Sequence, residues 1–124
     1  MRLPTSYTDI CYGTSDGFRR TVRYKTSSDG SWTNVDLSAA TAVHVYLLDE
    51  TGAVHKSFEG VAADAALFDL GASGVLVFEA ASDTFAAADV GTYNLWVKVT
   101  NTDWPAGKVF VSPVGIRIVD VALS

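Results

Sequence analysis

Three stretches of this chain alternate apolar and polar residues with a period of two, and no stretch carries a long apolar stripe at helical spacing. Residues 18–25 set Phe18, Arg20, Val22 and Tyr24 against Arg19, Thr21, Arg23 and Lys25. Residues 43–48 set Val43, Val45 and Leu47 against His44, Tyr46 and Leu48, and residues 92–100 set Tyr93, Leu95, Val97 and Val99 against Asn94, Trp96, Lys98 and Thr100. A side-chain period of two belongs to a pleated strand with one buried face, so burying these apolar sets requires sheets. Shorter extended segments fall at 35–37, 53–58, 67–70, 75–79, 109–111 and 116–121. They are separated by turn sequences such as Asp49-Glu50-Thr51-Gly52 and Gly71-Ala72-Ser73-Gly74. Ser82 to Asp89 has the one helical preference, enough for at most one short alanine-rich turn capped by Ser82 or Asp83. Pro113 interrupts the last extended region because it has no N–H for a ladder. Short strands with turns about every 8 to 12 residues predict an all-β sandwich of about seven or eight strands.

With 124 residues the chain is the size of one domain, and 48% hydrophobic against 19% charged residues is a globular balance. Cys11 is the only cysteine, which excludes an intrachain disulfide and a cysteine-based zinc site. Fourteen Asp and Glu against nine Lys and Arg give a net charge of −5, contrary to the basic footprint of a general nucleic-acid binder. The first residues carry no apolar signal core, and nowhere do about 18 apolar residues run together. The expectation is a soluble chain made in the cytoplasm, with no membrane span and no nucleic-acid partner.

No residue pattern nominates a reaction. Gly13-Thr14-Ser15-Asp16-Gly17 matches the G-x-S-x-G string of a hydrolase nucleophile elbow, but that elbow needs a preceding strand and a following helix, and here a strand follows. His44 and His55 flank a hairpin and could approach each other, yet two histidines without a third ligand define no metal site. The carboxylates are scattered singly, with no calcium loop and no assignable glycosidase pair. Cys11 has no activating neighbour. The reading is therefore a non-enzyme without cofactor or metal. Trp32, Trp96 and Trp104 are candidates for a sugar-stacking platform or for interface anchors. Arg19, Arg20, Arg23 and Lys25 read as solvated strand residues or as a contact to an acidic neighbouring subunit.

Asp89-Val90-Gly91-Thr92-Tyr93 has the D-x-G-x-Y form of the tyrosine corner of immunoglobulin-like domains, making Asp89, Gly91 and Tyr93 the candidate structural corner. Leu95 stands where a disulfide-bonded immunoglobulin domain carries its second cysteine. The order and spacing of Val35-Asp36-Leu37-Ser38-Ala39-Ala40-Thr41, Asp49-Glu50-Thr51-Gly52, Gly74-Val75-Leu76-Val77-Phe78, Asp83-Thr84, Gly91-Thr92-Tyr93 and Pro113 are more specific. Over roughly residues 17 to 121 they resemble the immunoglobulin-like domain at the amino terminus of phage baseplate upper proteins and of other tailed-phage proteins. Two departures stand out: the stretch between Asp83 and Gly91 is longer than usual there, and Ser38-Ala39-Ala40-Thr41 replaces the more typical Thr-Gly-Ala-Thr.

The resemblance implies a virion component of the tail, baseplate, neck or a fibre attachment. Such a component acts through protein contacts with other phage structural proteins and with further copies of itself. The competing reading is a carbohydrate-binding adhesin module. Residues 1–16 read as an amino-terminal arm outside a sandwich formed by residues 17–124, mobile until it docks on a neighbour and dispensable for folding. The candidate subunit interface comprises Leu3, Tyr7, Ile10 and Tyr12 of the arm, the basic residues Arg19, Arg20, Arg23 and Lys25, and the tryptophans Trp96 and Trp104.

Overall fold

The structure is a computed structural model that describes residues 4–25 and 30–120. Among the described residues eleven strands follow one another: β1 (Ser6–Cys11), β2 (Gly17–Thr21), β3 (Arg23–Lys25), β4 (Trp32–Asn34), β5 (Ala42–Leu48), β6 (Val54–Glu59), β7 (Phe68–Leu70), β8 (Val75–Glu79), β9 (Gly91–Thr100), β10 (Lys108–Val111) and β11 (Val114–Val119). Helical structure among the described residues is confined to three single 3-10 turns, Leu37–Ala39, Ala65–Leu67 and Ala87–Asp89. The last of these lies within the stretch read as helical, but it starts after Ala86 and not at Ser82 or Asp83.

The larger sheet runs β1-β11-β9-β5-β6, with β10 also paired to β9, and the smaller runs β2-β8-β7. In immunoglobulin terms β2, β8 and β7 stand as B, E and D, while β11, β9, β5 and β6 stand as G, F, C and C′. The short β3-β4 hairpin is set into the connection from β2 to β5. Alternation decides which residues face inward. Val43, Val45 and Leu47 of β5 and Tyr93, Leu95, Val97 and Val99 of β9 meet Phe18, Leu76 and Phe78 of the smaller sheet in one buried cluster. Phe78 sits at its centre, with the Phe18, Phe58 and Phe68 rings each 5.1 Å away.

The strand read as continuous over residues 18–25 changes partner at Val22. Up to Thr21 it pairs with β8, and from Arg23 it pairs with β4. Val22 N–H donates to Gly74 O, while Val22 O accepts from Val35 N–H, so the buried crossing residue keeps its backbone bonded.

The arm expected outside the sandwich is part of it. From Ser6 to Cys11 the chain runs parallel to β11, in register from Ser6 opposite Val114 to Cys11 opposite Val119. Ile10 is fully buried and belongs to the core, not to a subunit contact. Asp9 accepts two bonds from Arg117 across this pair, at 2.7 and 2.9 Å. Parallel pairing with a strand more than a hundred positions away left only weak local periodicity, because Ile10 is the one fully buried side chain of β1. Ser6–Cys11 thus belongs to the larger sheet, and Ile10 to the core. Leu3 lies outside the described residues.

Candidate subunit interface

The residues expected at an interface divide into structural and exposed groups. Arg20 is structural: its guanidinium leaves β2 and binds the other sheet. Nε donates to Ser112 Oγ at 3.0 Å, and Nη2 donates to Thr8 Oγ1 at 2.9 Å and to Val114 O at 3.2 Å. Desolvation lowers its pKa, yet the oxygens of β1, of β11 and of the link before it satisfy its donors. Tyr12 rests partly on the core, and its hydroxyl, hydrogen-bonded to Asp120, has its pKa raised by that contact. Tyr7 is half-buried beside Gly115. Trp104 is also largely internal, packing edge-on against Tyr24 at 5.4 Å and against Phe110 at 5.8 Å. Asn101 Oδ1 holds the turn that delivers it by accepting from Asp103 N–H and Trp104 N–H.

Arg19, Arg23 and Lys25 are exposed. Arg23 and Lys25 converge on Trp32, which the β3-β4 register places opposite Lys25; their charged ends lie 4.4 and 5.3 Å from the ring centroid. Trp32 itself is 53% exposed. It is one of the three tryptophans read as a sugar platform or an interface anchor, but it is not in the interface set drawn from the sequence. Its contact with the two cations follows from the pairing of β3 with β4. Lys108 contributes a third charge at this end, 4.9 Å from the Tyr24 ring and 5.0 Å from that of Trp104. Among the described residues none of these three cations is ion-paired with a carboxylate.

A groove of about 760 Å³ runs between this cation-aromatic rim and β10, with Arg23, Val22 and Trp32 on one wall and Val109, Phe110 and Val111 on the other. Val109 and Val111 are 45% and 60% exposed. On the outer face of the larger sheet, Val111, Trp96 and Tyr46 stand in one cross-strand row, so Trp96 continues the apolar surface around the β10 edge. The three tryptophans thus occupy three settings: the groove wall, the outer face and the aromatic plug.

The corner before β9 is a second built feature. Tyr93 is buried and its hydroxyl donates to Asp89 O at 2.6 Å. The Asp89 carboxylate accepts from Ala86 N–H at 2.8 Å and from Lys56 Nζ at 3.2 Å, and lies 2.8 Å from His55 Nε2. Burial opposes its ionisation, but these three partners outweigh burial and hold its pKa below the ordinary value. His55 in turn stacks on Tyr93 with ring centroids 4.8 Å apart. All these groups are engaged in holding the corner.

His44 lies opposite Glu59 in the β5-β6 register, whereas His55 is at the far end of that pair, so the two histidines do not meet. No group of three metal-ligating side chains occurs among the described residues. The segment between Gly13 and Gly17 is a turn in which Thr14 Oγ1 donates to Cys11 O and Asp16 accepts from Cys11 N–H. No helix of the described residues is long and apolar enough to cross a membrane.

No protein-family model matches this sequence, and no curated protein matches it.

Proposed function

We propose that this chain is a structural module of a tailed-phage particle, placed in the tail, baseplate, neck or a fibre attachment, working through contacts with other phage structural proteins and further copies of itself. The particle assignment rests on the sequence resemblance; the protein-contact reading rests on the β10 corner. There an acidic chain gathers exposed valines, a half-exposed tryptophan ring and cations that no carboxylate of the described residues pairs with, around one groove. Aromatic and arginine anchors beside an apolar centre are the composition of protein interfaces. A glycan platform would need its rings aligned in one row. The three tryptophans stand apart, and Arg23 lies over one face of Trp32.

The test is composition of purified particles. Mass spectrometry of particles from cells expressing the gene should recover the chain in fixed stoichiometry, and cross-linking should attach Lys25 or Lys108 to a neighbouring subunit. Absence from particles, together with tight glycan binding abolished by Trp32→Ala, would replace this reading with the adhesin one.

A further inference from the structure

β10 has one edge with which no described residue pairs, and the orientation of its backbone follows from one bond. Ser112 N–H donates to Leu95 O at 2.9 Å, continuing the β10-β9 register. In an antiparallel ladder alternate residues turn their backbone groups toward the same partner, so Phe110 and Lys108 also face β9. Val109 and Val111 then direct their N–H and C=O groups outward, and no hydrogen bond from the described residues reaches them on that side. Natural edges are blunted by charge, a proline, a bulge or a covering segment. Pro113 lies beyond this edge, and the two outward residues are exposed valines.

We propose that this edge receives an extended segment of a partner protein as an added strand, and that the segment alternates acidic and apolar residues. The inference rests on the protein-contact reading above and specifies its mode. Four residues at about 3.4 Å each give an edge about 14 Å long, enough to align a short peptide by main-chain bonds alone. Alternate side chains of the added strand enter the groove, where Trp32 and Phe110 offer apolar contact and Arg23 offers a charge that no carboxylate of the described residues pairs with. Lys98, opposite Val109 on β9, sets a further cation on the other side of the edge. No Asp or Glu lines the groove among the described residues, so the local field favours an acidic occupant although the whole chain carries −5. Two copies joined edge to edge would bring Arg23 and Lys108 of each against those of the other, which argues against a second copy as occupant.

The experiment uses the full chain and an octapeptide of alternating Glu and Val, with an octapeptide of alternating Lys and Val as control. Amide hydrogen exchange is followed at Val109 and Val111. At about ten times its dissociation constant the acidic peptide should slow exchange at both amides about tenfold, the control peptide should leave it unchanged, and Arg23→Glu should reverse that preference. Val111→Pro removes an outward N–H while sparing the bonds to β9, so it should keep the wild-type circular dichroism and lose the protection. Unchanged exchange with the acidic peptide overturns the proposal. So does protection of both amides in the chain alone that rises with protein concentration, which would make the occupant a second copy. Particle incorporation of Val111→Pro separates the two readings: normal incorporation without peptide protection removes the added strand and leaves the particle module standing. Peptide protection in a chain absent from particles does the reverse.

Discussion

Replacing Tyr93 with phenylalanine deletes one oxygen atom and leaves the ring in place. That hydroxyl donates to Asp89 O at 2.6 Å, where Tyr93 is 5% and Asp89 8% exposed, so water cannot readily replace the donor. A buried acceptor deprived of its partner costs about 1–3 kcal/mol. The stacking of the ring on His55 survives the change, which places the expected loss near the lower end, about 1.5 kcal/mol. In a domain of this size that lowers the melting temperature by roughly 5 °C. Tyr93→Ala also removes the ring from the core and should cost about 5 kcal/mol in all, comparable to the whole stability of a marginal domain. Urea unfolding at neutral pH, followed by tryptophan fluorescence and far-ultraviolet circular dichroism, separates the two substitutions. Tyr93→Phe should shift the midpoint with an unchanged slope. A midpoint equal to that of the wild type would show that the hydroxyl contributes nothing net, and that ring packing alone secures the entry to β9. Gly91→Ala approaches the same bond from the other side, since a Cβ there would lie 3.3 Å from the Tyr93 hydroxyl, and should lower the midpoint as well.

Arg20→Ala should destabilise by about 2 kcal/mol because it unstitches the two sheets, whereas Arg19→Ala on the same strand should stay within about 0.5 kcal/mol in the same urea titration. Ile10→Ala should cost about 2–5 kcal/mol despite its place near the chain start, and equal midpoints for variant and wild type would contradict β1 as core structure. The Asp89 carboxyl, its pKa lowered on folding, binds its proton less readily in the folded than in the unfolded chain. Its contribution is therefore complete above the unfolded value near 3.8 and is lost as pH falls through the lowered folded value. Below about pH 4 the wild type should lose stability more steeply than Asp89→Asn, and parallel pH profiles of the two would refute the role given to its three partners.

The features that repeat locally were legible in the amino-acid order. Alternation at 43–48 and 92–100 placed β5 and β9 and named the faces they bury, because a pleated strand reports its own burial with a period of two. The D-x-G-x-Y string located the corner, since its bond spans four positions. Contacts between distant positions were decided only by tertiary structure. Ser6–Cys11 read as an arm because a parallel edge strand with one fully buried residue leaves hardly any pattern, and its partner lies at the opposite end of the chain. Arg20 read as one of a basic group, but packing turned its side chain into the gap between sheets, where Thr8, Ser112 and Val114 supply acceptors. The open edge of β10 is of the same kind. Val109 and Val111 look like any strand valines in sequence, and no described residue pairs with their outward backbone because β1, from Ser6 to Cys11, lies along β11. Periodicity determines which side of a strand is buried; which strand lies next to it depends on chain closure and packing across the whole domain.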